Sequence, residues 1–225
     1  MRWLFAILAT LACGTTCGDG IDAAPGIVAV LYRSQQVQLD AMPLADPASP
    51  RAQLLRQSFD TVVRALPNLP AVDLRIVVGE TVAETLHGHI VVANEALADL
   101  PERERLFILA HELGHVMLGH WTQLGLLYLK WVPGAVVQHE TDAVAALLGR
   151  DASAQSYRHE YEADAFGLRT VRALGGSEQD AIAAFIALGA RNDTATHPGS
   201  RNRVAALRAI DADTLQALAP LAPGH

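Results

Sequence analysis

The chain has 225 residues, about half of them hydrophobic, which suits one compact core, and its abundant Ala and Leu with few aromatics favour helices. Its net charge is −7 with no basic run, which argues against nucleic acid as a partner. The two cysteines, Cys13 and Cys17, sit close to the N-terminus, so the remaining chain has neither a disulfide scaffold nor a Cys-based metal site.

Residues 1–12, MRWLFAILATLA, read as a short export signal. Arg2 supplies the positive start, and residues 3–12 form an apolar run too short to span a bilayer. Cys13 after Leu11-Ala12 loosely resembles a bacterial lipoprotein box, with Thr10 where Leu is usual; an uncleaved apolar N-terminus is the plainer alternative. Residues 1–24 are therefore taken as an export signal or lipoprotein leader. The expected location is the periplasm, or a membrane anchorage facing it.

Residues 26–39 alternate weakly (Ile27, Val28, Val30, Tyr32, Val37, Leu39) and predict a strand pair. Pro43, Pro47 and Pro50 mark a linker, so 25–49 read as an N-terminal segment and linker before a domain at 50–220. Ser49-Pro50 opens a helix as N-cap and first-turn proline, with Leu54, Leu55, Phe59, Val62, Val63 and Leu66 on its apolar side, and Pro67 and Pro70 end it. Residues 72–79, VDLRIVVG, and 89–93, HIVVA, after a turn at Gly88, predict strands. An exposed edge of such a sheet can accept an extended peptide through backbone hydrogen bonds. The alternative is an ordinary structural strand.

Residues 102–121, ERERLFILAHELGHVMLGHW, predict one amphipathic helix. His111 and His115 are separated by about 40° around it, so both imidazoles can reach one cation, and Glu112 can point at a water on that cation. Two His ligands with a carboxylate base is the zincin arrangement, HExxH. A surface helix carrying this pattern by chance is the competing reading. It fits poorly with Leu106, Phe107, Ile108, Leu109 and Ala110 before the motif and Val116, Met117 and Leu118 after it, because buried His without partners are costly.

Residues 124–137 are apolar but broken by Lys130 and Pro133-Gly134, and they predict a packed helix and loop; a membrane-facing or substrate-facing hairpin is the alternative. Residues 141–148 read as a short helix closed by Gly149, and 157–174 as a second long helix closed by Gly175-Gly176. Ser177 with Asp180 makes a capping-box start for the next helix, a loop at 189–199 ends in THPG, and 200–210 and 214–219 read as terminal helices.

A catalytic zinc needs a third protein ligand and one open position. The metzincin route fails because Leu118 and Trp121 stand where a Gly and a His are required. His120 lies about 140° around the helix from His115 and points elsewhere, as a flanking His or one behind a ligand. Glu160 and Asp164, in EYEAD, share a helix face. Glu160 can then bind the metal while Asp164 accepts a hydrogen bond from the free ring nitrogen of a ligand His. Glu162 points away toward solvent. His159 faces about 100° from Glu160, and His139-Glu140, in or near a loop, stays open as another source of the ligand.

HELGH, SYRHEYEADAFGLRTVRALGG (156–176) and THPGSRNRVAAL (196–207), in that order, resemble the HtpX and CAAX-prenyl-protease family of gluzincin metallopeptidases, in particular its soluble exported members of the bacterial periplasm. The resemblance covers about residues 88–210. It implies an α+β, mainly helical zincin-like domain with a small β-sheet beside the active-site helix. It implies one Zn2+ on His111, His115 and Glu160, with Glu112 as catalytic base and Asp164 behind a ligand His. It also implies a role near the metal for His197 and Arg203, which match the family's His-Pro and following Arg: they hydrogen-bond the developing oxyanion, or His197 caps the metal in a latent state. GETVAETLHGHIVV (79–92) departs from the family's usual segment before the edge strand, and neither membrane spans nor a tetratricopeptide array is expected. The activity implied is zinc-dependent endopeptidase on polypeptides, unfolded or misassembled envelope proteins above all, with membrane association left to the leader. A non-catalytic zinc-stabilised chaperone-like or binding module is the alternative.

Overall fold

The computed structural model describes residues 25–210. The readings for the leader, for Cys13 and Cys17 and for a helix at 214–219 lie outside the described residues. Two helices come first, α1 (Ile27–Asp40) and α2 (Pro50–Arg64). Three strands follow, β1 (Asp73–Val77), β2 (Ala83–Leu86) and β3 (Ile90–Asn94), and then a 3-10 turn at Glu95–Asp99. Helices α3 (Glu102–Met117), α4 (His120–Trp131), α5 (Gln138–Ala173), α6 (Glu178–Ala187) and α7 (Ser200–Arg208) complete the order. This is the mainly helical α+β architecture that the sequence implies.

The sheet runs β1-β3-β2, with β3 parallel to β1 and antiparallel to β2. Central β3 is buried at every residue, as a strand paired on both sides and covered on both faces must be. The outer side of β1 is taken by the linker, through Ala45 N–H to Ile76 O at 3.0 Å and Val78 N–H to Pro43 O at 3.0 Å. Among the described residues no strand pairs with the outer side of β2, so β2 is the open edge. Asn94 N–H donates to Val82 O at 2.8 Å; with the register Thr85 opposite Val91, this turns the backbone groups of Ala83 and Thr85 away from β3.

Strand β2 went unread in the sequence because AETL lacks the alternation of a half-buried strand. Its signal was the turn at His87-Gly88, where both residues have positive φ (53° and 73°), inside the three-residue connection 87–89 of a tight hairpin. His87 is held there by Tyr32, whose ring stacks on its own at 3.8 Å, and by Gln35 Oε1, which accepts its backbone N–H at 2.7 Å.

Both of those partners lie on α1, and here the expected strand pair is corrected. Residues 27–40 form one helix, with Ile27, Leu31, Gln35 and Leu39 turned inward at helical spacing. The alternation seen in the sequence was coincidental, and no Gly, Pro or Asn interrupts 27–40 to let a strand pair reverse.

Two further boundaries differ. The helix expected over 102–121 stops at Met117, because Gly119 adopts a left-handed φ of 66° and α4 starts in a new direction at His120. The two helices expected at 141–148 and 157–174 are one helix of 36 residues, α5. Gly149 does not end it, since a single Gly inside an exposed helix costs only about 1 kcal/mol.

Helix α3 is the centre of the core. Phe107, Leu109 and Leu113 are fully or almost fully buried, and α3 packs against the sheet, α2, α5 and α6. Its contact with α5 is close because two glycines allow it. A Cβ on Gly167 would stand 3.1 Å from the Phe107 ring and 3.2 Å from the His111 backbone nitrogen, and one on Gly114 would stand 3.3 Å from the Ala163 backbone. Gly167→Val is accordingly expected to destabilise the fold by about 1–3 kcal/mol through overpacking, read as a lower urea midpoint with an unchanged slope.

Candidate metal centre

The α3–α5 contact brings the HExxH face against the EYEAD face. His111 and His115, one turn apart on α3, turn their Nε2 atoms toward each other at 3.2 Å. Glu160 of α5 closes the third side, with Oε2 3.6 Å from His111 Nε2 and Oε1 3.5 Å from His115 Nε2. These three ligand atoms lie within 4.8 Å of one another. All three residues carry little exposed surface: His111 is 7% and Glu160 5% exposed.

The donor set fits a zinc ion. Two imidazole nitrogens and a carboxylate oxygen are zinc's usual ligands and leave a fourth position open. Glu160 Oε2 is buried and accepts no hydrogen bond, although the Arg203 guanidinium lies 3.1 Å from it as an ion pair. Two Nε2 atoms in contact cannot both be protonated without repulsion, and a shared cation resolves that conflict. His115 is held neutral: burial, then its neighbours His111 and His120, push its pKa well below the usual histidine value.

Behind His111 stands Asp164, whose Oδ1 lies 2.9 Å from His111 Nδ1. Asp164 is 1% exposed. Burial, the largest single influence, favours its neutral form, but the Arg203 guanidinium and His111 together outweigh it and keep its pKa below the usual carboxylate range. Arg203 of α7 grips this carboxylate with two bonds, Nε to Oδ2 at 2.8 Å and Nη2 to Oδ1 at 2.5 Å. Its guanidinium also lies 4.6 Å from the centroid of the Phe185 ring. Arg203 therefore clamps Asp164 and Glu160 together.

Glu112 is 6% exposed, and its Oε2 accepts a hydrogen bond at 2.8 Å from the Thr85 hydroxyl of the edge strand β2. Burial pushes its pKa up to about 7, against the pull of His111 and of that hydrogen bond. Sequence reasoning passed over Thr85 because β2 itself was not read. His197 lies in the loop before α7 with a side chain 61% exposed, and its Nε2 is 3.5 Å from Glu160 Oε1. His139 is 81% exposed at the side chain, paired with Glu140 at 3.9 Å, and stands outside the ligand cluster.

One reading of the helix wheel is corrected. His120 was placed away from His115 on the assumption of one unbroken helix. The break at Gly119 instead returns it to the site, with Nδ1 2.9 Å from His115 Nδ1, so the direction was wrong while the expectation of a His behind a ligand holds. Glu162 is exposed, as expected, and its Oε2 also lies 3.2 Å from His120 Nε2.

The family model described as Peptidase family M48 matches residues 82–211, a span that holds β2, the HExxH face, the EYEAD face and Arg203. A comparison with curated proteins found no match.

Proposed function

Since the chain belongs to peptidase family M48, a family of zinc metallopeptidases, we propose that it is a zinc endopeptidase. Its substrates in this reading are unfolded or misassembled proteins of the cell envelope. It would meet them in the periplasm, or from a membrane anchorage facing it. The observation that carries the reading is the convergence of His111, His115 and Glu160, with the buried Glu112 carboxylate on the same helix.

The two Nε2 atoms and a Glu160 oxygen would hold zinc, which when bound supplies a Lewis acid for the water and the scissile carbonyl. Glu112 takes the proton from the attacking water and delivers it to the leaving amine. Thr85 holds the base in place and ties it to the strand along which substrate would lie. The outward backbone groups of Ala83 and Thr85 can pair with an extended peptide, which favours a polypeptide over a small molecule. His197 and Arg203 are positioned beside Glu160 to hydrogen-bond the developing oxyanion. The envelope setting is supported by the signal-like residues 1–12 and by the family resemblance. No helix among the described residues is long and apolar enough to cross a membrane.

The test is zinc content measured together with casein cleavage, before and after chelation. About one equivalent of zinc is expected, with cleavage lost on chelation and restored by added zinc. Zinc without cleavage would favour the non-catalytic binding module. A folded protein that binds no zinc would sink the site.

A further inference from the structure

Behind His115 runs a chain of polar side chains that the hydrolytic reading leaves unused. His120, only 4% exposed, bridges His115 and Glu162, with its Nδ1 on His115 and its Nε2 on Glu162. The ring of His159 stacks on that of His120 at 4.0 Å and 6°. In turn, His159 Nε2 lies 2.9 Å from Gln155 Nε2 and 3.2 Å from Gln123 Oε1. Glu162, at the far end, has a side chain 44% exposed.

The direction of this chain follows from what each group can do. An ionised carboxylate only accepts hydrogen bonds, so the proton between His120 and Glu162 sits on His120 Nε2. A neutral His120 then offers Nδ1 as an acceptor. The partner nitrogen, His115 Nδ1, must therefore be the donor. With its proton on Nδ1, His115 keeps a lone pair on Nε2, the atom that faces His111 and Glu160. The reverse order would put the His115 proton on Nε2 and block it as a ligand.

We propose that His120 and Glu162 are positioning residues that fix His115 in its Nδ1–H tautomer and hold its Nε2 toward the metal. The proposal rests on the zinc reading of His111, His115 and Glu160. The two ligand histidines then have unlike supports. His111 leans on a buried carboxylate clamped by Arg203, whereas His115 leans on an imidazole backed by a half-exposed carboxylate. The plain alternative, that His120 only fills space against His159, predicts no dependence on its ring nitrogens.

The test is a competition titration of zinc-free protein against a chromophoric chelator, with His111→Ala as the control that loses zinc. His120→Phe keeps a ring against His159 but cannot accept from His115; zinc affinity is expected to fall about 10-fold or more. His120→Asn sets an amide oxygen near the place of Nδ1 and is expected to recover part of that loss. Glu162→Ala, at a half-exposed position that tolerates change, is expected to weaken zinc several-fold, and Glu162→Gln, whose amide oxygen still accepts, less. In the zinc-free wild type, where no metal sets the tautomer, long-range proton–nitrogen correlation of the imidazoles is expected to show neutral His115 protonated on Nδ1, and protonation on Nε2 would overturn the proposal.

Wild-type affinity in both His120→Phe and Glu162→Ala would overturn the proposal while leaving the zinc site standing. Should His120→Phe fail to fold, Glu162→Ala and the tautomer spectrum decide alone. A wild type that binds no zinc would overturn both this proposal and the reading beneath it.

Discussion

Glu112→Gln is expected to keep zinc at the wild-type level and to lower casein cleavage by about 10²–10⁴-fold, the usual contribution of a positioned general base. The change is nearly isosteric, and Glu112 is not among the three groups whose ligand atoms converge. A Gln amide oxygen can still accept from the Thr85 hydroxyl that now bonds Oε2 at 2.8 Å, so the side chain has a partner in the buried site. What it loses is the ability to take up a proton. Metal content and thermal unfolding are the controls: both should match the wild type. Cleavage at the wild-type rate in a zinc-loaded Glu112→Gln protein would remove Glu112 from the role of base.

Glu160→Ala is expected to weaken zinc binding by more than about 100-fold, beyond the loss usual for removing a group behind a ligand. Two imidazoles would remain, with no carboxylate to neutralise the ion. The fold should survive better than the site, because Arg203 keeps its two bonds to Asp164. A second readout follows from linkage: zinc that binds only the folded state raises the unfolding midpoint, and Glu160→Ala should lose that increment. His139→Ala, which alters a side chain 81% exposed and outside the cluster, should retain it. Loss of zinc in His139→Ala with retention in Glu160→Ala would move the third ligand to the other residue.

Much of the architecture was legible because its signals are local. Ser49 accepts the Ala52 N–H as N-cap of α2 with Pro50 in the first turn, and Ser177 with Asp180 forms the capping box of α6, both as their residue types dictate. Residues 26–39 misled for the converse reason. Their helix is selected by side chains that reach distant partners, Gln35 and the Tyr32 ring on His87 and Gln38 on Glu84, and a window of one segment contains none of these. The same limit hid β2, which is a strand because β3 lies beside it.

Within an unbroken helix the angle between two side chains follows from their spacing. The sequence by itself therefore determined that His111 and His115 share a face on α3, and that Glu160 and Asp164 share one on α5. That argument has no reach across a change of backbone direction. One left-handed residue, Gly119, resets the phase and brings His120 onto His115. Only the tertiary structure decided that the α3 and α5 faces meet, through the close approach at Gly114 and Gly167. It alone laid Arg203 across Glu160 and Asp164, and left β2 as the open edge above Glu112. These are matters of packing between segments far apart in the chain, where complementary shape and charge choose the partner and residue spacing carries no information.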